Sequence, residues 1–208
     1  MILDVVTRNG AEIVTLNAPP MNTFDLPAVK EMGDYFHSFS GERPLILTGH
    51  GKAFSAGVDT HAYGSYTAEQ RDQLFTAITR MAEACSTISA PVVAALNGHA
   101  IGGGLVLALC ADYRLVSAGE HKFGLAEAKA GVPFPDGPLA IVRREIPFSL
   151  LRKLALTSSL VPKEHLVENH ILDEIVEPDR LLDCAIERAL ELHQQPAFGR
   201  VKSQIKGR

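Results

Sequence analysis

Residues 90–110 read APVVAALNGHAIGGGLVLALC and place a strand, a glycine-rich turn and a helix in one short segment. Pro91 precedes Val92–Leu96, an apolar run of the length and composition typical of a buried strand. Gly102–Gly104 then open an apolar helix over Leu105–Cys110. Glycines at a helix N-terminus leave backbone N–H groups exposed at the positive end of the helix dipole, where an oxyanion can bind. Taken alone, the same glycines favour a tight strand-to-helix crossing that needs glycine for close packing.

Strands and helices alternate on both sides of this segment. The β-rich runs are Ile2–Val6, Glu12–Leu16, Leu45–Leu47 and Tyr113–Ser117. The helical patterns begin at Pro27 behind a possible Asp25 cap, span Leu74–Cys85, and recur at Leu150–Leu156, Lys163–Asn169 and Leu181–His193. Asn9-Gly10 between the first two strands is a strong hairpin signal. The alternation predicts the α/β class, with a helical C-terminal third that packs on the sheet or on another subunit.

Composition indicates one globular domain. The chain has 208 residues, 46% of them apolar and 21% charged, which suits a single core. A net charge of −4 argues against nucleic-acid binding. The basic cluster lies in the tail, where a solvated terminus explains it equally well: Arg200, Lys202, Lys206 and Arg208.

Cysteine usage and the N-terminus bear on the compartment. Cys85, Cys110 and Cys184 are odd in number and far apart in sequence, which favours a reducing compartment. We see no signal-peptide pattern and no run of about 20 apolar residues. The sequence therefore predicts a cytoplasmic protein that does not cross a membrane.

Three familiar motifs are only approximated. Gly49–Lys52 lacks the earlier glycine and the following Ser/Thr of a P-loop. The glycines after Asn97 do not have the GxGxxG spacing of a dinucleotide site. Ser55 resembles the serine of a nucleophile elbow but is separated from its strand by a glycine-rich loop. The histidines form no HExxH or HxxxH pair, so we expect no metal site.

Glu127 lies in a loop-prone stretch, Phe123–Gly131, between apolar residues. Partial burial beside Leu125 would raise its pKa toward the range of a general base. On composition alone, a surface glutamate near Lys129 is the simpler interpretation.

Three segments in this order resemble the enoyl-CoA hydratase/isomerase (crotonase) superfamily: Lys52–Asp59 (KAFSAGVD), Ala90–Gly104, and Phe123–Gly131 with Glu127. Ala111–Leu115 fits the same pattern. The resemblance implies a spiral of ββα turns over residues 1–146 that carries the CoA and oxyanion site. A shortened helical region over 147–208 would belong to the same domain or to a trimer contact. It also implies a homotrimer or dimer of trimers, and no cofactor beyond the CoA of the substrate.

The resemblance also implies roles for individual residues. The backbone N–H groups of Val58 and Gly103 would bind the thioester oxygen of an acyl-CoA, and Glu127 would act as the base. The other residues expected at the CoA site are Ala56, Gly57, Asp59, Thr60, Gly102 and Gly104. Within that set, carbonyls of the 56–60 segment would accept the adenine amino group, while the Asp59 side chain would hold the loop.

One departure from the family pattern bears on the reaction. Hydratases of this family carry two glutamates, and the first position is Val106 here. A lone Glu127 is the pattern of Δ3–Δ2 enoyl-CoA isomerases, so we expect double-bond isomerisation. Asp136 is a possible accessory carboxylate, although Pro-Asp-Gly-Pro favours a turn residue. The alternatives are an enoyl-CoA hydratase, or a catalytically weak CoA-thioester-binding protein whose short C-terminus leaves the acyl pocket open.

Overall fold

The computed structural model describes residues 2–206. The strands are β1 (Leu3–Arg8), β2 (Ala11–Leu16), β3 (Thr23–Phe24), β4 (Leu45–Gly49), β5 (Ala53–Ser55), β6 (Gly57–Val58), β7 (Val92–Leu96), β8 (His99–Ile101), β9 (Tyr113–Ser117), β10 (Lys122–Gly124), β11 (Val161–Pro162) and β12 (Glu174–Val176). The helices are α1 (Leu26–Ser38), α2 (Thr60–Ser65), α3 (Ala68–Ser86), α4 (Gly103–Cys110), α5 (Glu127–Ala130), α6 (Asp136–Glu145), α7 (Phe148–Thr157), α8 (Lys163–Glu168), α9 (Leu181–His193) and α10 (Phe198–Lys206). None of the helices within residues 2–206 has the length and apolar character needed to cross a membrane.

The strands of this part of the chain are arranged as a spiral. One sheet has the order β1-β2-β4-β7-β9-β12, a second has the order β11-β10-β8-β5, and β3 pairs with β6. The chain visits the first sheet, then the second, then a helix, and repeats this path from β4, from β7 and from β9. The predicted ββα spiral and α/β class are confirmed. The glycine-rich loop expected after Leu47 contains the short strands β5 and β6, which are too brief to show a periodic pattern.

The predicted hairpin and first helix cap are present. Asn9 and Gly10 both have positive φ angles, 49° and 84°, and join paired residues Arg8 and Ala11 of β1 and β2. Such a two-residue turn matches the twist of the strands it connects. Asp25 caps α1 by accepting a hydrogen bond from the Ala28 N–H at 2.8 Å.

Strand β7 lies at the centre of the larger sheet and is buried along its whole length. Successive side chains of a strand point to opposite faces. Val92, Ala94 and Leu96 accordingly join the main core, whereas Val93 and Ala95 pack in a second cluster with α9. The C-terminal third thus packs against the sheet and is not solely helical, because β12 extends the sheet beside β9.

Two lysines of the basic tail, Lys202 and Lys206, are largely buried, which corrects their interpretation as part of a solvated terminus. Arg200 is exposed, and Arg208 lies outside the described residues. Asp112 accepts hydrogen bonds from Lys202 Nζ at 2.6 Å and from the Val92 N–H at 2.9 Å, and it forms an ion pair with Lys206 Nζ at 2.8 Å. The Lys202 side chain is only 6% exposed. Desolvation lowers the pKa of Lys202, and Asp112 opposes that effect. These contacts fix α10 to the start of β7, a pairing of residues about 90 positions apart that local sequence cannot reveal.

The turns of the spiral approach one another closely at glycines. A Cβ atom placed at Gly104 would lie 2.1 Å from the carbonyl oxygen of Ser55. Real Cβ atoms do not come so close to a backbone oxygen, so any side chain at this position requires α4 and β5 to move apart.

Gly104→Ala is therefore expected to destabilise the fold by roughly 3 kcal/mol or more. Gly64, in the short helix α2, is the matched control, because a Cβ there meets no atom within 4 Å. We expect Gly64→Ala to be neutral or slightly stabilising. Urea unfolding of both variants is the measurement, and equal midpoints would contradict the close-packing argument.

Lys202→Met is expected to lower the free energy of unfolding by roughly 1–3 kcal/mol, because the Ala90 carbonyl and one Asp112 oxygen lose a charged donor. Arg200→Met on the same helix removes an exposed cation and should change stability by less than about 0.5 kcal/mol. Denaturant unfolding measures both changes. A Lys202→Met protein as stable as Arg200→Met would show that the buried pair contributes little.

Candidate active site

Residues predicted from three separate motifs line one small cavity. Val58 follows β5, Gly103 begins α4 and Glu127 begins α5, yet all three border the same space. The volume open to the centre of a water-sized molecule is about 30 Å³. The other lining residues are Phe24, Ile78, Met81, Val106, Val132, Pro133, Phe134, Pro135 and Pro138. The cavity is therefore a small apolar chamber with one carboxyl group in its wall.

The backbones that carry Val58 and Gly103 are in contact. Gly57 has a φ angle of 80°, and a Cβ atom there would lie 2.6 Å from the Gly103 nitrogen and 2.8 Å from the Ile101 carbonyl oxygen. A Cβ atom at Gly103 would lie 3.7 Å from the Val58 nitrogen. Only glycine at position 57 allows the two peptide groups to lie so close together.

The directions of the two N–H groups follow from their elements. The Asp59 N–H donates to the Phe24 carbonyl at 2.9 Å, and successive N–H groups of an extended strand alternate in direction. The Val58 N–H therefore points away from β3, on the side of the cavity. Gly103 is the first residue of α4, and N–H groups of a first helical turn have no acceptor within the helix.

Ser55 holds this backbone in place. It is fully buried, and its hydroxyl donates to the Asn22 carbonyl at 2.7 Å and accepts from the Gly57 N–H at 3.0 Å. Both bonds are to backbone groups, so the hydroxyl has a structural role and no feature of an activated nucleophile.

Asn22 is a supporting residue that sequence reasoning missed. Its buried amide Nδ2 donates to the carbonyls of His50, Ala53 and Phe54 at 3.0, 2.8 and 3.2 Å, and its own φ angle is 52°. Asparagine tolerates that left-handed conformation better than most residues. The available signal was an asparagine between Met21 and Thr23 after a Pro-Pro pair, which by itself indicates only a turn.

Glu127 is the ionisable residue of the cavity lining. It begins the one-turn helix α5, where a loop was predicted. Its Oε2 atom is buried and has no hydrogen-bond partner within residues 2–206, and a Cβ atom at Gly102 would lie 3.5 Å from its Oε1. Desolvation raises the pKa of Glu127 from 4.5 to about 7, although its own backbone N–H acts in the opposite direction. The interpretation as a surface glutamate is therefore wrong, because α3, α4 and α6 enclose the carboxyl group.

Val106 lines the same cavity and is 3% exposed. Its side chain offers no hydrogen bond, so no second carboxylate stands beside Glu127 in the described lining. Behind it, the buried Cys110 thiol donates to the Val106 carbonyl at 3.3 Å. A hydrogen bond with Cys110, together with burial, raises the pKa of the Cys85 thiol, so two cysteines that are distant in sequence pack together behind the cavity wall.

The residues predicted to contact CoA adjoin Val58 and Gly103 along the chain. Asp59 accepts hydrogen bonds from the His61 and Ala62 N–H groups at 2.9 Å each and so caps α2. Ala56 lies between β5 and β6, Thr60 begins α2, and a cleft of about 340 Å³ borders Asp59. Gly102 and Gly104 flank Gly103 at the start of α4.

Asp136 does not line the cavity. It is exposed and is the first residue of α6, so its interpretation as a turn residue is wrong. The extended Pro135 precedes it, which allows Asp136 to begin a helix.

A ββα spiral with paired glycine backbones at the start of α4 and a desolvated carboxyl group at the start of α5 defines the class of crotonase-fold enzymes. A family model described as enoyl-CoA hydratase/isomerase matches residues 7–205. The chain belongs to this family.

Individual relatives agree with the assignment. The chain is 34% identical to a carnitinyl-CoA dehydratase from Salmonella arizonae over 197 residues, which cover 91% of this chain and 74% of the relative. The Escherichia coli protein of the same name is 33% identical over 195 residues, covering 90% and 73%. An enoyl-CoA hydratase structure from Bacillus anthracis superimposes with a TM-score of 0.89 at 25% identity, covering 100% of this chain and 83% of that one. An enoyl-CoA hydratase/carnithine racemase from Magnetospirillum magneticum gives a TM-score of 0.88 at 26% identity, covering 99% and 80%.

Burial of Glu127 predicts a pH-dependent stability difference. A carboxyl group whose pKa is raised on folding costs stability as pH rises from about 4 to 7, and the full cost persists above that range. Glu127→Gln removes this cost and should stabilise the protein by roughly 1–3 kcal/mol at pH 8, but by much less at pH 4.

Denaturant unfolding at the two pH values measures this difference. Glu42→Gln, an exposed position, is the control and should show no such pH dependence. A Glu127→Gln protein with the same advantage at both pH values would contradict the buried carboxylate.

Proposed function

We propose that this enzyme moves the double bond of an enoyl-CoA thioester from C3 to C2. The observation that carries the proposal is that Glu127 is the single ionisable side chain in the described cavity lining, and that the apolar Val106 lines the same cavity. Isomerisation needs one group that removes a proton and returns it nearby. Hydration needs, in addition, a group that activates water.

The proposed steps use the groups of the cavity in turn. The Val58 and Gly103 N–H groups donate to the thioester oxygen, and ionised Glu127 removes a proton from C2. The C–H electron pair forms a dienolate whose negative charge rests on that oxygen, where the two donors stabilise it. Protonated Glu127 then delivers the proton to C4, which leaves the double bond between C2 and C3. Loss of one such donor typically costs about 10²–10³ in rate.

The environment of Glu127 supports this role. A base with a pKa of about 7 is substantially ionised at neutral pH and still basic enough to accept a proton. The apolar walls exclude water, which protects the dienolate from protonation by solvent. We propose that CoA lies along Ala56–Thr60, with Asp59 holding that segment through its cap of α2. No cofactor other than the CoA of the substrate is part of this mechanism.

Hydration is the second candidate, because the curated relatives at 33–34% identity are named carnitinyl-CoA dehydratases. In this chain Glu127 would have to activate water and manage the α-proton without help, since Val106 cannot polarise water. Because only hydration needs a group that activates water, the identity of residue 106 allows isomerisation and hydration to be distinguished by experiment.

We expect isomerisation of a 3-enoyl-CoA to exceed hydration of crotonyl-CoA by a wide margin. Glu127→Gln should reduce isomerisation by roughly 10²–10⁴-fold, because the amide cannot carry the proton. Val106→Glu should shift the ratio toward hydration, although weakly, since the new carboxylate lacks supporting hydrogen bonds. The measurement is the absorbance of the conjugated thioester for both substrates on one preparation.

Val6→Glu, on an exposed edge strand, is the control for the added charge and should leave the ratio unchanged. Efficient hydration of crotonyl-CoA by the wild type would overturn the isomerase proposal. Tight binding of CoA thioesters without turnover of either substrate would instead favour a binding protein.

A further inference from the structure

The far end of the Glu127 cavity is closed by apolar side chains. Ile78 and Met81 project from α3, and Val132 and Phe134 come from the segment between α5 and α6. Met81 is 2% exposed and Val132 is 5% exposed. The chamber that these residues leave is about 30 Å³, measured to the centre of a water-sized molecule. Because one water needs roughly 10–15 Å³ on this measure, the space holds about two or three carbon-sized groups.

The backbone that carries the end of this chamber is conformationally restricted. Pro133, Pro135 and Pro138 restrict the backbone on both sides of Phe134. Gly137 packs directly on α3, since a Cβ atom there would lie 2.9 Å from Thr79 Cγ2 and 3.2 Å from Thr79 Cα. The start of α6 is therefore packed against α3, and the sides of the chamber that these two helices form cannot move apart without breaking that contact.

We infer that this site is specific for short apolar acyl groups of about four carbons, with Phe134 and Met81 as the residues that set the limit. The inference rests on the proposed function, in which the thioester oxygen meets Val58 and Gly103 and the chain beyond it enters the chamber. But-3-enoyl-CoA, the smallest thioester that can undergo the reaction, matches the space. An octanoyl chain exceeds the space, and so does carnitinyl-CoA with its cationic tail. That tail would also find no carboxylate other than the base itself in the described lining.

Binding of saturated acyl-CoA thioesters tests the limit independently of turnover. We expect isothermal titration to show butyryl-CoA binding roughly 10- to 100-fold more tightly than octanoyl-CoA to the wild type, because a longer chain overpacks the chamber. Phe134→Ala and Met81→Ala should each tighten octanoyl-CoA binding about tenfold or more and leave butyryl-CoA binding within a few-fold.

Phe148→Ala is the matched control, since Phe148 is 75% exposed and lies outside the cavity. If Phe134→Ala does not fold, Phe134→Leu provides a milder enlargement with the same expected direction. Equal affinity of the wild type for butyryl-CoA and octanoyl-CoA would overturn the inference, as would the same gain in the Phe148→Ala control.

The same preparation separates this inference from the proposed function. Discrimination between the saturated thioesters without turnover of but-3-enoyl-CoA would support the size limit and contradict the isomerase. Turnover of oct-3-enoyl-CoA as fast as but-3-enoyl-CoA would support the isomerase and overturn the size limit. Failure to bind any CoA thioester would overturn both.

Discussion

The contact between the backbones at Gly57 and Gly103 is the constraint on which the rest of the site depends. It exists because position 57 carries no side chain, since a Cβ atom there would lie 2.6 Å from the Gly103 nitrogen. Ser55 and Asn22 hold one side of the contact through buried hydrogen bonds, and the spiral brings α4 to the other. Two peptide N–H groups that belong to different turns of the chain are thereby placed at one cavity. Because the donors are backbone groups in a packed core, they are oriented before any ligand arrives.

The carboxyl group of Glu127, unlike this well-bonded backbone, is in an environment that destabilises its charged form. Glu127 has a buried oxygen without a hydrogen-bond partner in the described residues, and burial raises its pKa to about 7. That arrangement costs folding free energy at neutral pH, and in the proposed function the same raised pKa suits Glu127 to act as a base. The larger core around it supplies the stability that offsets this local cost. The same apolar walls that raise the pKa would also exclude water and limit the size of the acyl group in the proposed function, which links the three properties.

Buried charged residues far from the cavity are paired with residues of opposite charge. Asp112 is surrounded by Lys202, Lys206 and the Val92 N–H, which satisfies a nearly buried carboxylate and joins α10 to the central strand. Arg114 is similarly enclosed and pairs with Glu145 at 3.3 Å. Breaking such a pair leaves an uncompensated charge in the interior, which is why these contacts constrain how the C-terminal helices pack.

Local features of this protein were determined by the sequence itself. The Asn9-Gly10 turn, the buried strand Val92–Leu96 and the helix after Gly102–Gly104 each follow from a few neighbouring residues, and the order of the motifs indicated the spiral. Only the tertiary structure decided that Val58, Gly103 and Glu127 share one cavity, that Glu127 is desolvated and that the tail lysines are buried. Burial and proximity are set by contacts between residues that are distant along the chain. A stretch such as Ala126-Glu127-Ala128 has the same local pattern on a surface as in a closed site, so sequence alone could not distinguish the two.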